Sequence, residues 1–198
     1  MVEAEDNLIE YFEIEVKKGS LKMDTRKNTN LHPRKPVRFH VTVKSLDAIA
    51  LSSSGDAVLP DLECEDFAIA LSSSGDLEMG KLVTGRLDVG LSSSGDAEIE
   101  KVDAVSIDVA LSSSVDLWIG AGKVEEQNVS LSSSGDYDAK GLESAAARVR
   151  LSSSGDAYVW VTQDLTAAVS SSGSVHYRGN PSVRRSTSSS GRVKRISH

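Results

Sequence analysis

The phrase Leu-Ser-Ser-Ser-Gly-Asp opens at Leu51 and returns at Leu71, Leu91, Leu111, Leu131 and Leu151, with Val115 replacing Gly once. Successive copies keep a constant step of twenty positions. Two weaker copies follow, Val169-Ser170-Ser171-Ser172-Gly173-Ser174 and Thr187-Ser188-Ser189-Ser190-Gly191-Arg192, where the step shortens to 18. A fixed period of this length is the mark of stacked, near-identical units, each of which buries its apolar face against its neighbours.

The pattern between the phrases decides what the unit is. Val105, Ile107, Val109, Leu111, Ser113, Val115, Leu117 and Ile119 make every odd position apolar or small, while Asp108, Ser112, Ser114 and Asp116 lie between them. A period of two is extended chain with one buried face. The register recurs from Phe67 to Met79 and from Leu87 to Ile99, and because the step is an even number each copy returns in phase. Equivalent residues therefore stack in columns. The fold class is all-β, a parallel β-solenoid (β-helix) with coils of about 20 residues, paired about 4.8 Å apart. A pentapeptide-type solenoid needs an inward residue at every fifth position, which the alternation excludes; helical repeats fail for the same reason. Leu62, Leu82, Val102 and Leu142 fall off the odd register and mark corners.

A chain of 198 residues, 39% hydrophobic, buries a real core, and with 5% aromatics that core is aliphatic. The single cysteine, Cys64, excludes an internal disulfide framework. No run of about 18 apolar residues is present, so no membrane-spanning helix is expected. Met1-Val2-Glu3-Ala4-Glu5-Asp6 is acidic where a signal peptide is basic and then apolar, so either the protein is cytosolic or an export signal has been removed.

The expected organisation is one solenoid domain over 1–198, with N-terminal strands or first coils in 1–44, regular repeats in 45–175 and a closing coil with a basic end in 176–198. Glu13 to Val16 alternates as a strand, Lys17-Lys18-Gly19-Ser20 is a turn, Leu21 and Met23 begin a second strand, and Val37 to Val43 reads as a third. Lys and Arg stand against Asp and Glu as 9 to 8 over 1–50, 7 to 21 over 51–176 and 6 to 0 over 177–198. The acidic repeats argue against nucleic acid. The basic end is either a solvated cap or a contact for an anionic surface.

Within the phrase, parity places Leu inward, the middle Ser (Ser53, Ser73, Ser93, Ser113, Ser133, Ser153) inward, and Gly at the next inward position, where a bend is easiest without a Cβ. Val115 predicts extended backbone throughout or a local distortion in its own coil. The outward Ser52 and Ser54 columns are plain surface or a platform for a polar ligand. The column Asp56, Asp76, Asp96, Asp116, Asp136 and Asp156 points outward, and stacked carboxylates repel unless compensated. Each Asp either caps a backbone N–H at the bend or ligates calcium in a ladder. The spacing differs from the nine-residue calcium repeats, so no metal or other cofactor is expected.

Trp118 and Tyr158 share one outward column with Asp138 between them, and Trp160 lies two residues beyond Tyr158 on the same face. These three are the candidate ligand contacts: exposed aromatics beside acids and hydroxyls stack on sugars or fill protein interfaces, unless the C-terminal segment covers them. No catalytic residues are assigned. Glu78, Glu98 and Glu100 sit in adjacent coils at a range glycosidases use, but acids occur on every outward face. His32, His40, His176 and His198 show no metal-ligand spacing.

The Ser-rich Gly-Asp phrases, the N-terminal strand region, and the closing His176-Tyr177-Arg178-Gly179-Asn180-Pro181-Ser182-Val183 and Ser188-Ser189-Ser190-Gly191-Arg192-Val193-Lys194-Arg195-Ile196 together resemble the head GIN domain family of auto-transporter adhesins. The family's phrase is closer to Ser-Gly-Ser-Gly-Asp, so this chain carries Ser where the first Gly would stand. The resemblance implies a right-handed parallel β-helix exported to the periplasm, outer membrane or surface of Bacteroidetes-like bacteria, with no catalytic or binding residues to transfer. The expected function is a non-catalytic, adhesin-like binding module for a glycan, lipid or protein. The alternatives are a structural element that self-associates into a homo-oligomer and, third, a polysaccharide-acting enzyme.

Overall fold

The computed structural model describes residues 1–27, 29–72, 74–92, 94–132 and 134–197. The chain forms two compact units, Met1–Lys44 and Ser45–His198. In the first, β1 (Val2–Glu3) pairs antiparallel with a later short strand, and β2 (Phe12–Lys17) forms a hairpin with β3 (Ser20–Thr25). Gly19 at φ 81 makes its turn possible. The partner of β1 is β4 (Arg38–Phe39), which is all that forms of the strand expected over Val37 to Val43. Beyond His40, whose backbone still bonds Met1, no ladder continues among the described residues, and Val41 and Val43 are exposed.

The second unit is the solenoid, of about seven turns with about 20 residues per turn. It begins with β5 (Ala48–Leu51), β6 (Ala57–Leu59), β7 (Leu62–Glu63) and β8 (Asp66–Leu71). The long strands β9 (Leu77–Leu91), β10 (Ala97–Leu111), β11 (Leu117–Leu131), β12 (Tyr137–Leu151) and β13 (Ala157–Val169) follow. It closes with β14 (Ser174–Arg178), β15 (Ser182–Thr187) and β16 (Arg192–Arg195). All pairing in this unit is parallel, and each residue of the regular coils sits on its equivalent in the next: Leu51, Leu71, Leu91, Leu111, Leu131 and Leu151 form one ladder, which Val169 continues.

The long strands bend. Pairing of β10 with β9 breaks at Glu100 and again at Val105, so the coil is three short runs joined by corners, with the Ser-rich phrase as its remaining bend. Leu82, Val102 and Leu142 are fully buried in the middle run. They fall off the odd register because each corner resets the parity. The core consists of aliphatic columns such as Leu77, Ala97, Leu117, Tyr137 and Ala157, all 1% exposed or less. Each buried Leu contributes about 1.5–3 kcal/mol, so a stack of them holds the coils without disulfides.

The coils that open at Leu151 and Val169 are shorter, 18 residues each, and the register changes where the first of them meets β12. Ala139 pairs with Val159 but Glu143 pairs with Trp160, leaving Lys140, Gly141 and Leu142 unmatched in β13; one residue is regained between Ser144 and Ala146. The step falls from 20 to 18 here, at the corner that carries Trp160.

Candidate functional site

The bend is built from backbone that needs partners. Oδ1 of Asp56, Asp76, Asp96, Asp116 and Asp136 accepts the backbone N–H of Asp76, Asp96, Asp116, Asp136 and Asp156 respectively, at 2.7–3.1 Å. Asp156 then accepts from Ser174 N–H at 2.6 Å. Each carboxylate thus serves the equivalent position of the next coil rather than its own turn. The amides offset the repulsion between stacked charges. Half-burial nonetheless pushes the Asp136 carboxyl above its usual range, with Asp116, Asp156 and Asp138 adding to the effect against the Asp156 N–H. Among the described residues no group of three or more His, Cys, Asp or Glu is placed to hold a metal ion.

The serines divide. Oγ of Ser72, Ser92, Ser112, Ser132, Ser152 and Ser170 donates to the carbonyl of the ladder Leu in the preceding coil. Those hydroxyl protons are spent on the scaffold. Two of the described middle serines depart from the inward column that parity predicts: Ser53 and Ser113 are exposed, whereas Ser153 is half-buried with its Oγ shielded from solvent; Ser73, Ser93 and Ser133 lie outside the described residues. The strand stops at Leu, so parity no longer applies at the bend that follows. Gly75 and Gly95 are buried with φ below zero; their role is close approach, since a Cβ on either would collide with the carbonyl oxygen of the preceding glycine. Where Val115 takes that position, Ser113 adopts φ 79.

Trp118 and Tyr158 fall in one outward column, Glu78, Glu98, Trp118, Asp138, Tyr158, His176 and Lys194, whereas Trp160 pairs with Glu143 and Arg178 outside it. The column runs from acid to base. Trp118 is 40% exposed, and its indole carbons lie 2.5 Å from where a Cβ on Gly120 would stand, so only glycine lets the ring lie along the strand. Tyr158 is half-buried and stacks on His176, with centroids 4.7 Å apart and planes 11° apart. Burial, then Asp156, Asp136 and Asp138, raises its phenol above the usual range. Lys140 bonds Asp138 at 2.6 Å and lies 5.9 Å from the Tyr158 ring.

Trp160 is also half-buried, capped by the Arg178 guanidinium 3.8 Å from its ring centroid. Arg178 donates from Nη1 to Lys140 O at 3.1 Å, and buried Ser144 donates to Trp160 O at 2.8 Å. These bonds close the gap left by the unmatched Lys140 to Leu142. The structure places Trp118 in β11 and Tyr158 and Trp160 in β13, two coils apart with Asp138 of β12 between Trp118 and Tyr158; it leaves Trp118 open and covers the other two with β14. Sequence reasoning missed His176 and Arg178 as their covers. The signal was the shortened step, which carries Tyr158 onto His176 and Trp160 onto Arg178.

Glu78 and Glu98 are neighbours on adjacent rungs. They lie on open strand surface beside Trp118. The arrangement offers ring faces, a carboxylate–ammonium pair and backbone-bound carboxylates.

A repeat domain of this kind, with parallel stacked coils joined at a Ser-Gly-Asp bend, is a β-solenoid. The chain belongs to the family described as "Putative auto-transporter adhesin, head GIN domain", whose model matches residues 1–181. Among solved structures it is similar to a "Putative lipid binding protein" from Parabacteroides distasonis, at 24% identity and TM-score 0.93 over 99% of this chain and 83% of that one. A "putative adhesin" from the same organism matches at 25% identity and TM-score 0.87 over 98% of this chain and 82% of that one. One from Parabacteroides merdae matches at 19% identity and TM-score 0.91, over 99% of this chain and 82% of that one. No curated protein matches the sequence.

Proposed function

We propose that the protein is a non-catalytic, adhesin-like binding module of the cell envelope that holds a glycan against the patch formed by Trp118, Asp138, Lys140, Tyr158 and Trp160. The observation that supports this is Trp118: a large ring, exposed in a chain poor in aromatics, laid flat over Gly120 and followed along its column by Asp138 and the Tyr158–His176 stack. A flat exposed ring takes the apolar face of a sugar, and the neighbouring carboxylate and ammonium bond its hydroxyls. Membership of an adhesin family supports an exported location, in the periplasm or at the surface. Among the described residues no helix is long and apolar enough to cross a membrane.

The test is glycan-array binding by the wild type and by Trp118→Ala, with oligomeric mass measured in parallel. Binding to a glycan set that Trp118→Ala abolishes, in a variant that keeps its β spectrum, supports the reading. Unchanged array binding overturns it. If instead Trp118→Ala changes the oligomeric mass, the patch is a homo-oligomer contact.

A further inference from the structure

The last coil differs in charge from everything before it. Arg184, Arg185, Arg192, Lys194 and Arg195 are all exposed, and no Asp or Glu occurs in residues 177–198. Among the described residues none of the five has a carboxylate partner. Two of them stand where a core residue would. Arg185 continues the buried column Val109, Val129, Val149 and Ala167, and Arg195 continues Ala139, Val159 and Tyr177. These two apolar ladders thus run onto cations, which disfavours an apolar rung stacked on them, while Val183 and Val193 keep two other ladders apolar. A neutral polar rung would disfavour it equally well, so the uniform positive charge asks for a further reason.

We infer that the basic last coil docks the solenoid end-on onto an anionic lipid surface. The charge distribution selects a planar partner. Residues 51–176 carry 21 acids against 7 bases, so a linear polyanion longer than the coil is wide would run on against a repelling flank. A lipid surface meets the last coil alone, and the acidic flank keeps the solenoid from lying down on it. Each basic side chain near such a surface strengthens binding about five-fold, an effect that fades within a Debye length of about 8 Å at physiological salt. The site is separate from Trp118.

The experiment is co-sedimentation of the full chain with vesicles of phosphatidylcholine alone and of a two-to-one mixture of phosphatidylcholine and phosphatidylglycerol. Each is run at low and high salt, about 0.05 M and about 0.5 M NaCl, which bracket a long and a short Debye length. The expected result is binding only to the anionic vesicles and only at low salt. R184Q/R185Q/R192Q should bind about a hundred-fold more weakly. K81Q/K101Q/K123Q changes net charge equally but on the flank, and should bind like wild type, as should Trp118→Ala. The inference is overturned if wild type fails to bind anionic vesicles at the lower salt, or if the two triple variants behave alike. It is also overturned if inorganic phosphate displaces the protein beyond a chloride control of equal ionic strength, which marks a discrete anion site. Low-salt oligomers that R184Q/R185Q/R192Q abolishes, without vesicle binding, overturn it in favour of a second copy.

Discussion

Oδ1 of Asp116 accepts the backbone N–H of Asp136 at 2.7 Å, and Asp136 passes the same bond on to Asp156 at 2.7 Å. Carboxylate and amide alternate along the bend of the solenoid, so the charge that makes the phrase look chemically active is consumed in joining coils. Function is consequently to be sought where columns change character, at Trp118 and at the last coil.

Asp136 separates the two roles of its carboxyl. Asp136→Ala removes the acceptor and leaves Asp156 N–H without its partner, at a cost of about 1–3 kcal/mol. Asp136→Asn keeps an acceptor and removes the charge that burial disfavours, and should match or exceed wild type at pH 7. Because the folded carboxyl is raised, the folded state binds the proton more tightly than the unfolded chain does. The contribution of Asp136 to stability therefore falls as pH rises from the ordinary value of about 3.9 through the raised one. The advantage of Asn over Asp should shrink on acidification through that window. Urea midpoints at pH 7 and pH 4 check this.

The glycine column should be unforgiving where coils are regular. A Cβ on Gly95 would meet the Gly75 carbonyl carbon at 2.9 Å and its nitrogen at 3.0 Å as well as its oxygen, all of it backbone that cannot step aside. Gly95→Ala should cost about 1–3 kcal/mol. The coil of Val115 has already adjusted, with Ser113 at φ 79. Ser113→Gly should stabilise by about 0.5–1 kcal/mol by relieving that conformation. Chemical denaturation of the two variants should move in opposite directions.

The period, the inward Leu ladder and the place of Gly and Asp were legible because strict alternation over an even repeat allows one register only. Parity failed at Ser113, where the chain bends and no longer alternates. It failed again over Val37 to Val43, whose pattern suits a strand but which finds a partner only at Arg38–Phe39. The covering of Tyr158 by His176 and of Trp160 by Arg178 was signalled by the 18-residue step from Leu151 to Val169, which separates each pair; what the spacing of the phrases cannot locate is the corner at which β13 loses two residues against β12. The openness of Trp118 rests on Gly120 and on Asp138, the residue that follows it in the column, which the register alone does not weigh.

Tyr137 and Gln127 form a polar pair inside the apolar core. Both are fully buried, Tyr137 Oη donates to Gln127 Oε1 at 2.9 Å, and Gln127 Nε2 has no partner among the described residues. Tyr137→Phe orphans the Gln127 oxygen as well and should destabilise by about 1–3 kcal/mol. Adding Gln127→Leu, in a column already holding Ile107 and Leu165, should recover that loss or more, since removing both partners leaves no buried polar group unmet. Burial also holds the Tyr137 phenol far above its usual range. Its tyrosinate absorbance should therefore appear only as the protein unfolds at high pH.

The two tryptophans should report the asymmetry of the aromatic patch. Trp118 is open, whereas Trp160 lies under the Arg178 guanidinium at 3.8 Å. Acrylamide should quench wild-type fluorescence in two classes, and Trp118→Phe should remove the accessible one. Arg178 also holds Lys140 O through Nη1, so Arg178→Ala uncovers Trp160 and frees the unmatched Lys140–Leu142 segment of β12 together. Its emission should shift to the red and its quenching constant approach that of Trp118. Stability should fall by about 1–2 kcal/mol, from the lost stacking and hydrogen bond. Unchanged emission in Arg178→Ala would show that the stack does not shield Trp160 in solution.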